Sequence, residues 1–169
     1  YTRVGGLSRD MPEGFEAGLR EWLGTVTKTI DEVDKLLTRN KIWLDRTQGV
    51  GDISKEDALS YGLTGPNLRG SGVEWDVRKT RPYLGYENYE FEIPVGHQGD
   101  IYDRYLVRLE EMRQSCRILD QAMRNLPEGP INIDDPKIFL PPKKRVLSSM
   151  EELIHQFMVV TEGFECPAG

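Results

Sequence analysis

Apolar residues recur at spacings of three and four along two stretches of the chain, and these two stretches organise the rest. Between 99 and 126 the stripe runs through Tyr102, Tyr105, Leu109, Met112, Cys116, Leu119, Met123 and Leu126, the period of one helical face. Asp100 stands where it can cap the free N–H groups, and Pro127 cannot continue the ladder. The opposite face carries Arg104, Arg108, Glu111 and Arg117, so it is either solvated or offered to a partner. At about 1.5 Å per residue this helix is roughly 40 Å long, and another long element must lie along it. Residues 12–40 supply one. Pro12 suits a first turn, and Phe15, Leu19, Trp22, Val26, Ile30, Val33 and Leu37 form its stripe. The rhythm slips between Val26 and Ile30, where Gly24 and the β-branched Thr25, Thr27 and Thr29 gather. A bent helix or a helix pair with a break near residue 25 is predicted.

A third helix is expected over 148–163. Ser148 or Ser149 with Glu151 or Glu152 has capping-box spacing, Met150, Leu153, Ile154, Phe157 and Met158 follow, and Gly163 can end it. The stretch 41–98 loses helical periodicity and reads as an irregular insert. Within it, Ser54 to Asp57 resembles the start of a short helix that Gly62 could close. Tyr89, Phe91, Ile93 and Val95 alternate with polar residues as a strand does. Five of the ten prolines fall within the sixteen residues 127–142, which favours an extended connection over 127–147. The predicted fold is mainly α: one domain over 1–169, three long helices packed along one another, an irregular Gly/Arg-rich insert and little strand.

Composition narrows the function classes. The 169 residues carry 22 basic and 28 acidic side chains, a formal charge of −6. A nucleic-acid surface would need Lys and Arg gathered on one face, and nothing beyond Lys143, Lys144 and Arg145 does so. Length and mass allow a real core, with about 70% of the unfolded surface expected to be buried at this size. No apolar run exceeds the four residues 157–160, so no segment spans a bilayer. The two cysteines, Cys116 and Cys166, form no metal-type pair and fit a reducing compartment. The first residue is Tyr1 and the last is Gly169, so the chain reads as a piece of something longer.

Candidate chemistry is sparse. A zinc or iron–sulfur site needs converging ligands, and the supply is His97, His155, Cys116 and Cys166. Cys116 reads as an inert core thiol, His155 as a hydrogen-bonded packing histidine and His97 as a cap or surface residue. The 49–51 Gly-Val-Gly run lacks a dinucleotide fingerprint and reads as a tight turn. Glu110 and Glu111, like Asp134 and Asp135, are adjacent, which is the wrong spacing for an acid/base pair on a helix, and read as solvated charges.

The informative cluster is 62–83, which packs glycines with Trp75, Tyr83, Glu74, Asp76, Arg69, Arg78 and Arg81. Arginines make forked hydrogen bonds to carboxylates and carbonyls in partly dry settings. Two readings stand: a network that fixes an irregular loop, and a surface shaped for a partner or an electron carrier. Arg69, Asp76, Arg78, Arg81 and Tyr83 are the candidates for either.

The same residues carry a family resemblance. Arg46-Thr47, Gly49 and Gly51, Ala58, Tyr61-Gly-Leu-Thr-Gly-Pro66, Leu68-Arg-Gly-Ser-Gly72, Trp75-Asp76, Arg78-Lys79 and Pro82-Tyr83 resemble the quinone-site subunits of bacterial respiratory complex I, NADH:quinone oxidoreductase. The match continues through Phe91, Val95-Gly96, Gly99-Asp100, Tyr102-Asp-Arg-Tyr105, Arg108, Glu110-Glu-Met-Arg113 and Ser115, with Arg3-Val-Gly-Gly6 before it and Met150-Glu151, Leu153-Ile-His155, Phe157, Thr161-Glu-Gly163 and Pro167 after it. Arg3 joins the candidate partner-facing or loop-organising residues on this ground.

The resemblance implies a fold like the large subunit of nickel–iron hydrogenases, without the two Cys-x-x-Cys pairs that hold nickel there. It implies a peripheral arm on the cytoplasmic side of the inner membrane, and partnership with other complex I subunits, chiefly the smaller one carrying the terminal 4Fe–4S cluster. It also implies a quinone cavity in the intact complex. The histidine and tyrosine set against the quinone head group lie upstream in the family, so this piece is expected to bind no cofactor, NADH or quinone by itself and to contribute no catalytic residue. The competing reading is a helical interaction module whose long stripe forms a coiled-coil oligomer. Left alone, the piece is expected to self-associate through apolar surface its missing regions would cover.

Overall fold

The computed structural model describes residues 2–135 and 137–164. Tyr1, Pro136 and 165–169 lie outside the described residues, and with them the expectations placed on Cys166 and Pro167. The fold is mainly helical, 55% helix against 3% strand, as the patterning predicts. Its contacts gather into two units, one from Gly14–Leu126 and one pairing Tyr1–Glu13 with Pro127–Gly169.

In the larger unit helix α1 spans Phe15–Leu37 without interruption. No break occurs near residue 25, so the helix-pair expectation is corrected. The hydroxyls of Thr25, Thr27 and Thr29 donate to the carbonyls of Glu21, Leu23 and Thr25 at 3.2, 2.8 and 3.0 Å, which ties these β-branched residues into the helix instead of competing with it. The chain breaks instead before Asn40, whose side chain accepts from the N–H groups of Ile42 and Trp43 and so starts helix α2, Lys41–Thr47.

The insert holds more helix than its fading periodicity predicts. After α2 come α3 at Lys55–Ser60, α4 at Gly65–Gly70, α5 at Val77–Thr80 and a 3₁₀ turn at Tyr86–Asn88. The Ser54 start is as expected: its hydroxyl accepts from the Asp57 N–H at 3.0 Å. The alternating run 89–95 is extended but joins no sheet. Two glutamines of the long helix α6, Ile101–Arg124, serve it in place of a neighbouring strand. Gln114 accepts from the Glu92 N–H at 3.0 Å. Gln121 accepts from the Glu90 N–H at 2.8 Å and donates to the Glu90 carbonyl at 2.7 Å.

Helix α6 is packed by α1, α2 and α4. That explains why Val107, off the predicted stripe, is as buried as Leu109 on it. Asp100 caps α6 as predicted, taking the Asp103 N–H at 2.7 Å, and its second oxygen takes the Gly49 N–H at 3.0 Å. A Cβ on Gly99 would lie 2.3 Å from the Ile53 carbonyl, and one on Gly96 would lie 2.6 Å from that of Gly70. Backbones cross here at distances only glycine permits.

In the smaller unit Thr2–Arg3 (β1) and Gly6–Leu7 (β2) form an antiparallel ribbon. Leu7 donates to the Ile131 carbonyl at 3.0 Å and Ile133 to that of Gly5 at 2.9 Å. Among its described residues the proline-rich connection is extended apart from short turns and the single turn α7, Lys143–Val146, which packs against α8, Met150–Thr161. Ser149 holds the N-cap position of α8, but its hydroxyl bonds the Glu151 carboxylate at 2.8 Å, so the predicted capping box does not form. Helix α8 packs inside out. Glu152 is 8% exposed and paired with Arg145, while Met150, Ile154, Phe157, Met158 and Val160 are exposed.

Candidate functional site

The 62–83 cluster is built around Arg69 at the end of α4, whose side chain lies beneath the insert with the residue 6% exposed. Its Nε donates to the Glu111 carboxylate at 2.7 Å, with a second guanidinium nitrogen 2.5 Å from the same oxygen. The third nitrogen donates to the Trp75 carbonyl at 2.9 Å and lies 3.6 Å from Asp76. One arginine thus joins α6, the loop after α4 and the start of α5.

Asp76, 5% exposed, is the hinge of that loop. It N-caps α5 by accepting the Arg78 backbone N–H at 2.9 Å. The Arg78 side chain then returns to the same carboxylate through a fork of 3.0 and 2.6 Å. The guanidinium of Arg78 also rests 4.8 Å from the Phe91 ring centre, and the Lys79 ammonium 4.2 Å from it. Two cations and two anions, Arg69, Arg78, Asp76 and Glu111, therefore neutralise one another in a largely dry setting.

Burial acts most strongly on Asp76 and would raise its pKa. The Arg78 hydrogen bonds, from side chain and backbone, and the charges of Arg78 and Arg69 together outweigh it and hold the carboxyl below its ordinary range. The Arg78 guanidinium is pushed up, chiefly by its hydrogen bond to Asp76.

Of the six candidates, Arg69, Asp76 and Arg78 come together. Arg81 and Tyr83 stand exposed further along the insert, and Arg81 enters no ion pair found among the described residues. Arg3 belongs to the smaller unit, its guanidinium 4.5 Å above the Phe139 ring centre.

Several residues that matter were missed. Glu111 and Glu110 are not merely solvated charges: Glu111 anchors Arg69, and Glu110 accepts from Gln114 at 2.8 Å and lies 3.5 Å from Arg113. Asp135 likewise is no idle charge, since its carboxylate takes the Lys137 N–H at 2.9 Å. Arg104 donates to the carbonyls of Gly99 and Gly51 at 2.6 and 2.8 Å, closing the insert onto α6. The signal was present: Arg104, Arg108 and Glu111 keep helical spacing on the face opposite the apolar stripe, and the partner that face meets is this chain's own insert. Arg113 pairs with Asp34 at 2.7 Å and Asp31 at 3.3 Å, joining α6 to α1. Asp34 is held low first by the Thr38 hydroxyl and then by Arg113.

The remaining chemistry-bearing residues do not converge. Cys116 is a free, half-buried thiol, not a fully buried one. His97 is exposed, and its backbone N–H, with that of Gln98, is held by Asp103 at 2.5 and 2.6 Å. The Nδ1 of His155 is buried without a hydrogen-bond partner, so the hydrogen bond expected of this packing histidine is not made by that atom. Among the described residues no three His, Cys, Asp or Glu side chains gather as a metal site requires, and no helix is long and apolar enough to cross a membrane.

Comparison with known proteins gives this geometry its relatives. A family model described as respiratory-chain NADH dehydrogenase, 49 Kd subunit, matches residues 1–169. The D subunit of the NADH-quinone oxidoreductase of Methylacidiphilum infernorum is 59% identical over all of this chain and 40% of its own length. Its counterparts in Akkermansia muciniphila and Geobacter sulfurreducens are 56% and 52% identical over the whole chain, which covers 41% and 43% of them. The chain thus spans about two-fifths of the length of the curated relatives it matches.

Proposed function

Since the chain belongs to the family of the 49 kDa subunit of respiratory-chain NADH dehydrogenase, we propose that it is a section of the quinone-site subunit of a proton-translocating NADH:quinone oxidoreductase. In that reading it sits in the peripheral arm at the cytoplasmic face of the inner membrane. It seats the smaller subunit that carries the terminal 4Fe–4S cluster and supports the quinone cavity. The section itself performs no reaction: it supplies shape and electrostatic surroundings to redox centres held by its neighbours.

The observation that carries this reading is the Arg69–Asp76–Arg78–Glu111 cluster. Every one of its side chains is occupied with another or with loop backbone, which suits a group that fixes a surface and not one that handles a substrate. Fixed guanidinium groups near a negatively charged cluster favour its reduced state, and Arg81, exposed beside this network, adds an uncompensated charge.

The test replaces Arg69, Arg78 and Arg81 one at a time with Met in the intact complex, followed by redox titration of the terminal cluster. A fall in its potential or a loss of the iron–sulfur subunit from the purified complex is expected. Unchanged potential together with unchanged assembly for all three would remove the role.

A further inference from the structure

Helix α8 has its polarity reversed. Met150, Ile154, Phe157, Met158 and Val160 are 50–67% exposed. At about 100° per residue they sweep an arc of roughly 160°, as wide as the apolar face with which a helix meets a core. The flank turned into the chain is the polar one. Glu152 is 8% exposed, pairs with Arg145 of α7 and lines a small cavity with Asp135 and Phe139. One turn further on, the Nδ1 of His155 is buried too, and neither it nor the second oxygen of Glu152 has a hydrogen-bond partner among the described residues. A helix ordinarily gives its apolar side to the core and its charges to water. Here residues 133–145 lie against the polar side, and the side with a core's composition is left outside.

The chain spans about two-fifths of the length of the relatives it matches, which leaves three-fifths of such a subunit outside residues 1–169. We infer that in the full-length subunit α8 is a core helix. Its apolar face packs against elements of the remaining three-fifths of the same polypeptide, and residues 133–145 form the outer layer over its polar flank.

Size, charge and connectivity choose that occupant. A second copy of the chain would meet five apolar side chains on one helix of 12 residues, well short of the roughly 20–30 residues a side that a stable interface uses. A lipid surface is opposed by charge, because α8 has no Lys or Arg and Glu151 and Glu162 stand exposed at its two ends. A separate protein competes with segments of the same chain, which act at an effective concentration of about a millimolar. The inference does not depend on the seating reading. It removes α8 from the surfaces offered to the iron–sulfur subunit.

The test reads the two methionines of this face in the unmodified protein. In the intact complex, peroxide should convert Met150 and Met158 to sulfoxides at least about tenfold more slowly than in urea, and the protection should persist in the full-length subunit separated from its neighbours. Rates equal to those in urea mean that the face is bare and overturn the inference. Protection lost on separation assigns the cover to another subunit, and protection that grows with the concentration of the separated subunit assigns it to a second copy; either overturns the choice of occupant. A photo-crosslinking phenylalanine analogue in place of Phe157 then names the neighbour directly. A captured peptide from the same subunit outside residues 1–169 is expected, and capture of the iron–sulfur subunit or of lipid in its place overturns the inference.

Discussion

The insert and helix α8 handle charge and apolar surface in opposite ways. In the insert, charged side chains go inside: Arg69, Asp76 and Glu111 are drawn beneath the loop and satisfied there, and the network they make keeps a glycine-rich backbone in one shape. In α8 one charged residue, Glu152, is also turned inward against Arg145, but the helix leaves Met150, Ile154, Phe157, Met158 and Val160 outside. The insert has satisfied its buried charges, although it too leaves Leu59, Tyr61 and Leu84 exposed. Helix α8 has not, and its apolar face has the composition of a buried surface without the cover. The two regions differ in what lies beneath: the carboxylates under the insert are fully engaged, whereas one oxygen of Glu152 is buried without a hydrogen-bond partner.

The largest expected effect tests the insert side of this contrast. Arg69→Met leaves the half-buried Glu111 beside an apolar side chain and Asp76 with Arg78 alone, and should destabilise the full-length subunit by about 3 kcal/mol in urea denaturation. A cost under about 1 kcal/mol would mean the network decorates the loop without fixing it, and the comparison would lose its first half.

A smaller effect sharpens the same point through acid. Because the pKa of Asp76 is lowered in the folded state, its contribution is present at neutral pH and at any pH above its unfolded value of about 3.9, and is lost as pH falls below that toward the folded value. Asp76→Asn should therefore flatten the decline of stability below about pH 4, followed by tryptophan fluorescence, while lowering stability at pH 7. An unchanged acid limb would assign the acid sensitivity to other carboxylates, Asp34 first among them.

The smallest effect belongs to α8. Ile154→Ser and Phe157→Ser, at sites 50% and 60% exposed, should each change the stability of this 169-residue chain by no more than about 0.5 kcal/mol while reducing its self-association in sedimentation. A loss of several kcal/mol would show that the face is already covered within the chain.

Local signals made much of the fold legible. Asp100 as a cap, Ser54 as a helix start, Pro127 as a stop and the α6 stripe through Leu109 all act over a few residues, and each was readable. The candidate site was legible as a composition, Gly with Arg and Asp, but not as a geometry. Arg69 meets Glu111 across forty-two positions of sequence, and no local rule joins them. The extended run 89–95 has strand alternation because one side is buried, as Phe91 shows, yet the partner that satisfies its backbone is a pair of glutamine side chains. The expected break near residue 25 failed because threonine hydroxyls can bond back to the preceding turn. The outward face of α8 was invisible because an apolar stripe says which side wants cover, not whether this chain provides it.

Asp100 carries one more consequence. Its two carboxylate oxygens tie Asp103 on one side and Gly49, fifty-one positions earlier, on the other. Closing a loop of that size costs roughly 3.5 kcal/mol in chain entropy beyond a constant, whereas the bond within the helix costs almost none. One side chain thus couples a bond that is nearly free in chain entropy to one that is not, and the opening turn of the long helix serves as the fixed post to which the segment before it is tied.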